Sequence, residues 1–231
     1  MLLADFEQTK KKAEQGIPAA QYNLGVMFDS GIGVAENPFE AARWYLRAAE
    51  QGDKEAQSNL GVLYDTGRGV PQDFTEAVKW YHLAAEQGHA QAQFNLGILF
   101  NNGLGVRQDE ATAAVWFRKA AGQGVFEAQG NLGCLYAAGR GVPQSYPEAL
   151  KWYSVAAKAG SAQSQYNLGV MYAKGFGVKT DYIEAYKWFS LAAAQRYTQA
   201  VNVLYLFSQA MPPAQIEEAR RRAGQNKPQG T

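Results

Sequence analysis

The chain has 231 residues, of which 47% are apolar and 19% are charged, which is enough to bury a substantial core. Its 22 Lys and Arg residues balance 21 Asp and Glu residues, and a net charge of +1 argues against the strong basic field that binds nucleic acids or anionic membranes. A single cysteine, Cys134, excludes an intramolecular disulfide framework and any multi-cysteine zinc or iron–sulfur site.

The N-terminal segment gives the first prediction. Met1-Leu2-Leu3-Ala4-Asp5 is too short for a signal peptide, whose apolar stretch alone needs about 7–15 residues. We therefore expect a cytoplasmic protein, and a periplasmic or secreted one if a signal peptide was trimmed from this end. Residues 1–16 are predicted as an N-terminal capping helix, because the second-helix pattern described below, shifted back by 36 residues, falls here mainly on polar side chains.

A 36-residue repeat dominates the sequence from residue 17 onward. Asn-Leu-Gly recurs five times at this spacing, and so do all five tryptophans, Trp44, Trp80, Trp116, Trp152 and Trp188. A fixed period of this size indicates stacked supersecondary units. We assign five repeats, at residues 17–52, 53–88, 89–124, 125–160 and 161–196.

The first half of each repeat has the pattern of an amphipathic helix. Apolar residues between Ala20 and Phe28 have helical spacing, and Gly31 is predicted to end the helix because glycine tolerates a positive φ there. Gly25 lies inside this helix, where glycine costs about 1 kcal/mol relative to alanine. We expect it to allow close approach of the two helix backbones of a hairpin.

The second half of each repeat is predicted to be a second helix. It begins with a capping pair, Asn37 with Glu40 in the first repeat, in which Asn37 accepts a backbone N–H and Glu40 reaches back. The third repeat departs from this pattern, with Asp109 followed by Thr112. The predicted buried face of the second helix in the first repeat comprises Ala41, Trp44, Tyr45, Ala48 and Ala49.

This pattern resembles the Sel1-like repeat (SLR) family, a subclass of the tetratricopeptide-type α-solenoids. The resemblance covers residues 17–196 and rests on Ala20-Gln21-Tyr22-Asn23-Leu24-Gly25, Phe28, Gly31-Ile32-Gly33-Val34, Ala41, Trp44-Tyr45, Ala48-Ala49, Gly52 and their equivalents. It implies an all-α, right-handed α-solenoid of stacked helical hairpins. It also implies an adaptor or scaffold with no catalytic residues shared across the family.

Residues 197–223 are predicted to be C-terminal capping helices. Ala200 and Leu204 keep the first-helix register, so a sixth first helix should run to about Ala210 before Pro212-Pro213 breaks it. A short amphipathic helix should follow. Residues 224–231 are predicted to be a disordered tail.

No motif in the sequence points to catalysis, a cofactor or a metal. The Gly-x-Gly loops follow a helix and lack the strand that phosphate-binding glycine loops require. His82 and His89 occupy variable repeat positions and are predicted to be solvated, and Cys134 shares its position with valine and isoleucine. We therefore predict that the protein is not an enzyme and binds no cofactor or metal.

The candidate site is a partner-binding groove on one face of the first helices. A helical wheel places these residues opposite the buried positions, and in tetratricopeptide solenoids the corresponding face is concave. The candidate residues are Tyr22, Asn23, Asn59, Phe94, Asn95, Asn131, Tyr166 and Asn167. Asparagine can bond an extended peptide backbone while aromatic rings contact its side chains. The alternative is structural: the asparagines bond a neighbouring helix and Val26 packs between repeats.

Charge on the second helices follows a different pattern. Four Glu–Lys or Glu–Arg pairs at i, i+3 are predicted to be solvated pairs on the outer side: Glu40/Arg43, Glu76/Lys79, Glu148/Lys151 and Glu184/Lys187. They do not form a basic patch.

The sequence thus predicts a non-catalytic adaptor that binds a peptide segment or a partner protein in the groove, and that is a monomer or weak oligomer. One alternative is a periplasmic or secreted scaffold that binds a glycan or a host protein. Another is a β-lactam-binding hydrolase, because some disulfide-containing proteins of the family it resembles have been associated with β-lactams. That alternative is disfavoured because the regularly paired cysteines are missing.

Overall fold

The computed structural model describes residues 2–225, and in this part of the chain thirteen α-helices form and no strand occurs. The helices are α1 Leu2–Glu14, α2 Pro18–Ser30, α3 Pro38–Glu50, α4 Lys54–Thr66, α5 Phe74–Glu86, α6 Ala90–Asn102, α7 Glu110–Gly122, α8 Phe126–Ala138, α9 Tyr146–Lys158, α10 Ala162–Lys174, α11 Tyr182–Ala194, α12 Thr198–Ala210 and α13 Pro213–Gln225. The predicted all-helical fold is confirmed.

The helices form two compact units, one up to Lys119 and one from Ala120 onward. In the first unit, α2 packs against α3 and α4 against α5; in the second, α8 packs against α9 and α10 against α11. These antiparallel pairs are the predicted hairpins. We call their members first helices and second helices, in chain order; in the third repeat, α6 is the first helix and α7 the second.

Helix α1 packs against α2 at the beginning of the first unit. Phe6 and Ala13 are buried there, and the rings of Phe6 and Phe28 meet edge to face at 5.6 Å. The polar residues of this segment predicted a capping helix, but they did not predict that Phe6 is buried. The helix therefore has one apolar side against α2 and an exposed polar remainder.

The glycine inside each first helix accommodates an aromatic ring. A Cβ atom at Gly25 would lie 2.6 Å from the ring of Tyr45, and one at Gly97 would lie 2.7 Å from the ring of Phe117. The expectation that two backbones meet at this glycine is wrong, because the ring of the second helix occupies the space. This contact leaves no room for a side chain, which explains why a glycine stands here despite its unfavourable helix propensity.

The helix ends follow the predicted capping pattern in part. Gly31 ends α2 with a φ of 67°, and the Asn37 side chain accepts from the Glu40 backbone N–H at 3.2 Å. Asp109 also caps its helix, accepting from the Thr112 N–H at 3.0 Å. Glu40 does not reach back as predicted; its carboxylate accepts from Arg43 at 2.6 Å, because a cation three residues later offers a charged partner.

Buried glutamines connect successive helices. Gln57 of α4 donates to the Ala49 carbonyl of α3 at 3.1 Å. Its side-chain oxygen accepts from Gln87, directly after α5, at 2.8 Å. Gln165 is similarly bonded to Ala157 and Gln195. Gln57 and Gln165 thus each satisfy a carbonyl at the end of a helix while their own oxygen is bonded.

Helix α13 ends the second unit by packing against α11. Arg222 of α13 binds Glu184 at 2.9 Å, and Lys187 binds the same carboxylate at 2.7 Å with only 9% of its side chain exposed. The prediction of a solvated Glu184/Lys187 pair is therefore wrong, because α13 lies beside it. The helix continues to Gln225, two residues into the predicted tail, and residues 226–231 lie outside the described part of the chain.

Candidate functional site

The eight predicted site residues all lie on first helices. In the first unit they are Tyr22 and Asn23 on α2, Asn59 on α4, and Phe94 and Asn95 on α6. In the second unit they are Asn131 on α8 and Tyr166 and Asn167 on α10. Asn23 is exposed, and the other seven are half-buried. We call this set the first-helix face and describe it unit by unit.

The aromatic residues of the first-helix face each rest on a buried ring of the same repeat. Ring centroids lie 5.9 Å apart for Tyr22 and Tyr45, and 6.0 Å apart for Phe94 and Phe117. In the second unit, Tyr166 lies 5.6 Å from Phe189. Tilted ring pairs of this kind hold the outer ring in place, so part of its surface stays accessible in a fixed orientation.

Two of the asparagines lie beside tyrosine hydroxyls of the preceding repeat. Interaction with the Asn59 side chain partly offsets the burial that raises the pKa of Tyr22 and Tyr45, and Asn95 acts in the same way on the pKa of Tyr81. Asn95 Oδ1 also accepts from Gln91 Nε2 of the same helix at 3.0 Å. These contacts favour the structural role that the sequence left open as an alternative. They occupy part of each amide's capacity, because an asparagine side chain offers two donors and an oxygen with two lone pairs.

Acidic groups lie near these tyrosines in the first unit. The Tyr81 hydroxyl donates to Asp65 Oδ2 at 3.3 Å; burial raises the pKa of Tyr81, and the nearby carboxylate raises it further. Burial also raises the pKa of Asp65. Arg68 lies 3.3 Å from Asp29 Oδ1 and 2.8 Å from Glu36, so it counterbalances the acidic charge at this end.

Arg68 was missed at the sequence level because its loop position is variable between repeats. Arg68 also donates to the backbone carbonyl of Asp29 at 2.7 Å, which joins the second Gly-x-Gly loop to the first repeat.

One side-chain oxygen of α6 is unsatisfied in the described part of the chain. Asn101 Oδ1 is buried with no hydrogen-bond partner among the described residues.

Cys134 and Asn167 form a polar contact in the second unit. The Tyr153 hydroxyl donates to Cys134 Sγ at 3.3 Å, and the Asn167 amide lies 3.8 Å from the same sulfur. Cys134 is half-buried and is not the purely apolar filler that its repeat position suggested. Valine at the equivalent positions cannot accept these bonds.

The two histidines have structural contacts. His82 is exposed and its ring meets Trp116 edge to face at 5.7 Å. His89 caps α6, with Nδ1 accepting from the Ala92 N–H at 3.1 Å, and burial lowers its pKa. The prediction that His89 is simply solvated is wrong, because it is half-buried at the helix start.

The part of the chain that the structure describes has neither a metal-binding cluster nor a membrane-spanning helix. Among residues 2–225, no three His, Cys, Asp or Glu side chains are placed to hold a metal ion. No helix in the same range has both the length and the hydrophobicity needed to cross a membrane.

Three of the predicted outer pairs lie on exposed surfaces. The nitrogen–oxygen distances are 2.6 Å for Glu40/Arg43, 3.0 Å for Glu76/Lys79 and 3.7 Å for Glu148/Lys151.

Comparison with known families gives five consecutive matches. The Sel1 repeat profile matches residues 18–53, 54–89, 90–125, 126–161 and 162–197. These segments begin one residue later than the repeats assigned from the sequence. A search of curated protein sequences finds no match.

Solved structures are similar to this chain over most of its length. A protective antigen of uropathogenic Escherichia coli with an SLR fold is 36% identical, with a TM-score of 0.87 over 97% of this chain, which spans only 49% of that protein. A Sel1 repeat protein from Oxalobacter formigenes is 35% identical, with a TM-score of 0.80 over 92% of this chain and 89% of that protein. A Klebsiella pneumoniae Sel1 repeat protein, at 22% identity, a TM-score of 0.52 and coverage of 87% and 98%, shares the fold.

Proposed function

Because this chain belongs to the Sel1 repeat family, whose α-solenoid members mostly act as non-catalytic scaffolds for protein–protein interaction, we propose that it is a non-catalytic adaptor. We propose further that it binds an extended peptide segment of a partner protein along the first-helix face. The fixed outer aromatic rings are the observation that carries this proposal.

The ring arrangement supports anchoring of partner side chains. Phe94 is half-buried, and Phe117, the ring beneath it, is 1% exposed. A ring that is already immobilised loses little conformational entropy on binding, which favours affinity. Binding energy in protein interfaces concentrates in such aromatic residues.

The amides support recognition of a peptide backbone. Asn59 and Asn95 lie beside tyrosine hydroxyls, and Asn95 Oδ1 accepts from Gln91 at 3.0 Å, so each amide keeps further donor and acceptor capacity. A backbone group of a bound segment that bonds to the remaining capacity of these amides would gain about 0.5–1.5 kcal/mol.

The charges on this face do not suit a partner that is recognised by its C-terminal carboxylate. Asp29 and Asp65 lie in the first unit, and Lys174 lies at the end of α10 in the second. Recognition of a terminal carboxylate would use several basic side chains converging on one point. We therefore assign recognition to the backbone and the apolar side chains of the partner peptide.

The cytoplasmic location of the protein stays a prediction.

Peptides selected from a displayed library against the full chain would test this function. We expect Phe94→Ala to lower the affinity of selected peptides at least tenfold, since a central aromatic anchor contributes about 2 kcal/mol or more. Asn23→Ala is a second variant, because Asn23 is exposed and its loss leaves the core intact. Thermal melts establish that both variants are folded.

The matched control lies on the second helices. Lys79→Ala combined with Lys151→Ala removes two exposed cations from the outer pairs and should leave affinity within about twofold of the parent. If selected peptides bind the Phe94 and Asn23 variants normally and lose affinity for this control, the first-helix face is not the binding surface.

A further inference from the structure

Helix α12 has an apolar face that no other described helix covers. Val201, Tyr205 and Leu206 are 48%, 68% and 65% exposed. Helical spacing places them on one side of the helix, with the exposed amides Asn202 and Gln209 between them. We call these five residues the α12 face.

The α12 face is open because the chain turns away from it. The first helices α8 and α10 are each covered by the next second helix, α9 and α11. After α12, however, α13 packs against α11, where Arg222 binds Glu184 at 2.9 Å. The side of α12 that would receive a second helix therefore stays exposed.

Tyr205 prevents a further helix of the same type from lying there. It occupies the repeat position of Gly133 and Gly169. A Cβ at Gly133 would already lie 2.7 Å from the Tyr153 ring, so a full tyrosine at this position blocks the ring of any second helix of the usual sequence. The occupant of the α12 face must be of another kind.

We propose that the α12 face pairs with the same face of a second copy of this chain, in a twofold-symmetric dimer. Helix α12, Thr198–Ala210, contains no charged residue, so two copies can meet without like-charge repulsion. Asn202 and Gln209 each carry both donors and an acceptor and can therefore bond their own counterparts. Twofold dimers use one self-complementary patch in this way.

The other candidate surface on a second copy is α1, and its chemistry fits less well. Asp5 and Lys12 are exposed there, and apolar contact with α12 would take both charges out of water without a partner. The α12 face is also small: a standard interface buries about 800 Å² per partner, more than three exposed side chains and two amides supply. The dimer is therefore weak and depends on concentration.

Sedimentation velocity of the full chain, from about 1 to about 300 µM, tests the proposal. The parent chain should shift from monomer towards dimer across this range. Leu206→Lys and Leu206→Glu should each lower the association constant at least tenfold, because like charges then face each other near the twofold axis. An equal mixture of the two variants should regain association, because opposite charges then meet.

A matched control accompanies these variants, and three outcomes would contradict the proposal. Val155→Lys alters another exposed apolar residue, 44% exposed on α9, and should leave association unchanged. A parent chain that stays monomeric throughout, or folded Leu206 variants that associate normally, would overturn the dimer. Loss of association with Lys12→Glu, together with failure of the mixture to recover, would instead show head-to-tail pairing through α1. Circular dichroism monitors folding of every variant.

Discussion

Replacing Ala159 with glutamine should stabilise the protein, because one link of the glutamine network is missing. Gln129 donates to the Ala121 carbonyl at 3.2 Å, but its Oε1 is buried with no partner among the described residues. In the first, second and fifth repeats, a glutamine at the end of the second helix donates to the corresponding glutamine oxygen, at 2.7, 2.8 and 2.9 Å. In the fourth repeat that position is Ala159.

The backbone at Ala159 already suits the substitution. Its φ and ψ of −73° and −3° are close to the −82° and 6° of Gln87, so Ala159→Gln needs no backbone change. Bonding a buried, unsatisfied acceptor returns about 1–3 kcal/mol, and ordering a glutamine side chain costs up to about 2 kcal/mol. We expect a net gain of about 1 kcal/mol in the free energy of unfolding.

Guanidinium denaturation and thermal melts of the full chain measure this gain. For a chain of this size, 1 kcal/mol corresponds to a rise of about 2–4 °C in melting temperature. Ala159→Met is the matched control, because methionine has a similar length but cannot donate. If the glutamine and methionine variants have the same stability, the missing hydrogen bond does not limit the stability of the fourth repeat.

The remaining predictions concern packing and pH. Gly97→Val should destabilise the chain by about 1–3 kcal/mol through overlap with Phe117, whereas Gly122→Val, at a helical glycine with no neighbour within 4 Å, should be close to neutral in chemical denaturation. His89 caps α6 as the neutral imidazole and its pKa is lowered, so its stabilisation is present above the unfolded pKa of about 6.5 and is lost as pH falls through the lower folded value. His89→Asn should reduce this acid sensitivity, and equal pH profiles for the variant and the parent would contradict the cap.

The periodic part of the fold was predictable from the sequence, because repetition identifies helices independently of any single residue. The buried positions Ala41, Tyr45 and Ala48 followed directly from helical spacing and are 0%, 1% and 0% exposed. The reason for Gly25 did not follow, since spacing along one helix cannot show which part of another helix lies above it. Only the structure places the Tyr45 ring there.

Contacts between distant elements account for the other differences. Glu184 and Lys187 have the same spacing as the solvated pairs, yet α13 lies beside them with Arg222, an arrangement that depends on where the chain goes after α12. On the candidate site, the positions of Asn59 and Asn95 were predictable. Their proximity to tyrosine hydroxyls of the preceding repeat required knowledge of how successive repeats stack.

The most direct test of the adaptor function is an NMR study of the full chain with a selected peptide. We expect intermolecular nuclear Overhauser effects from the peptide to the ring of Phe94, and shifts of the side-chain amides of Asn23, Asn59 and Asn95. The exposed second-helix residues Lys79 and Lys151 should remain unaffected. Peptide contacts confined to those second-helix residues, with no change at Phe94 or the asparagines, would contradict binding at the first-helix face.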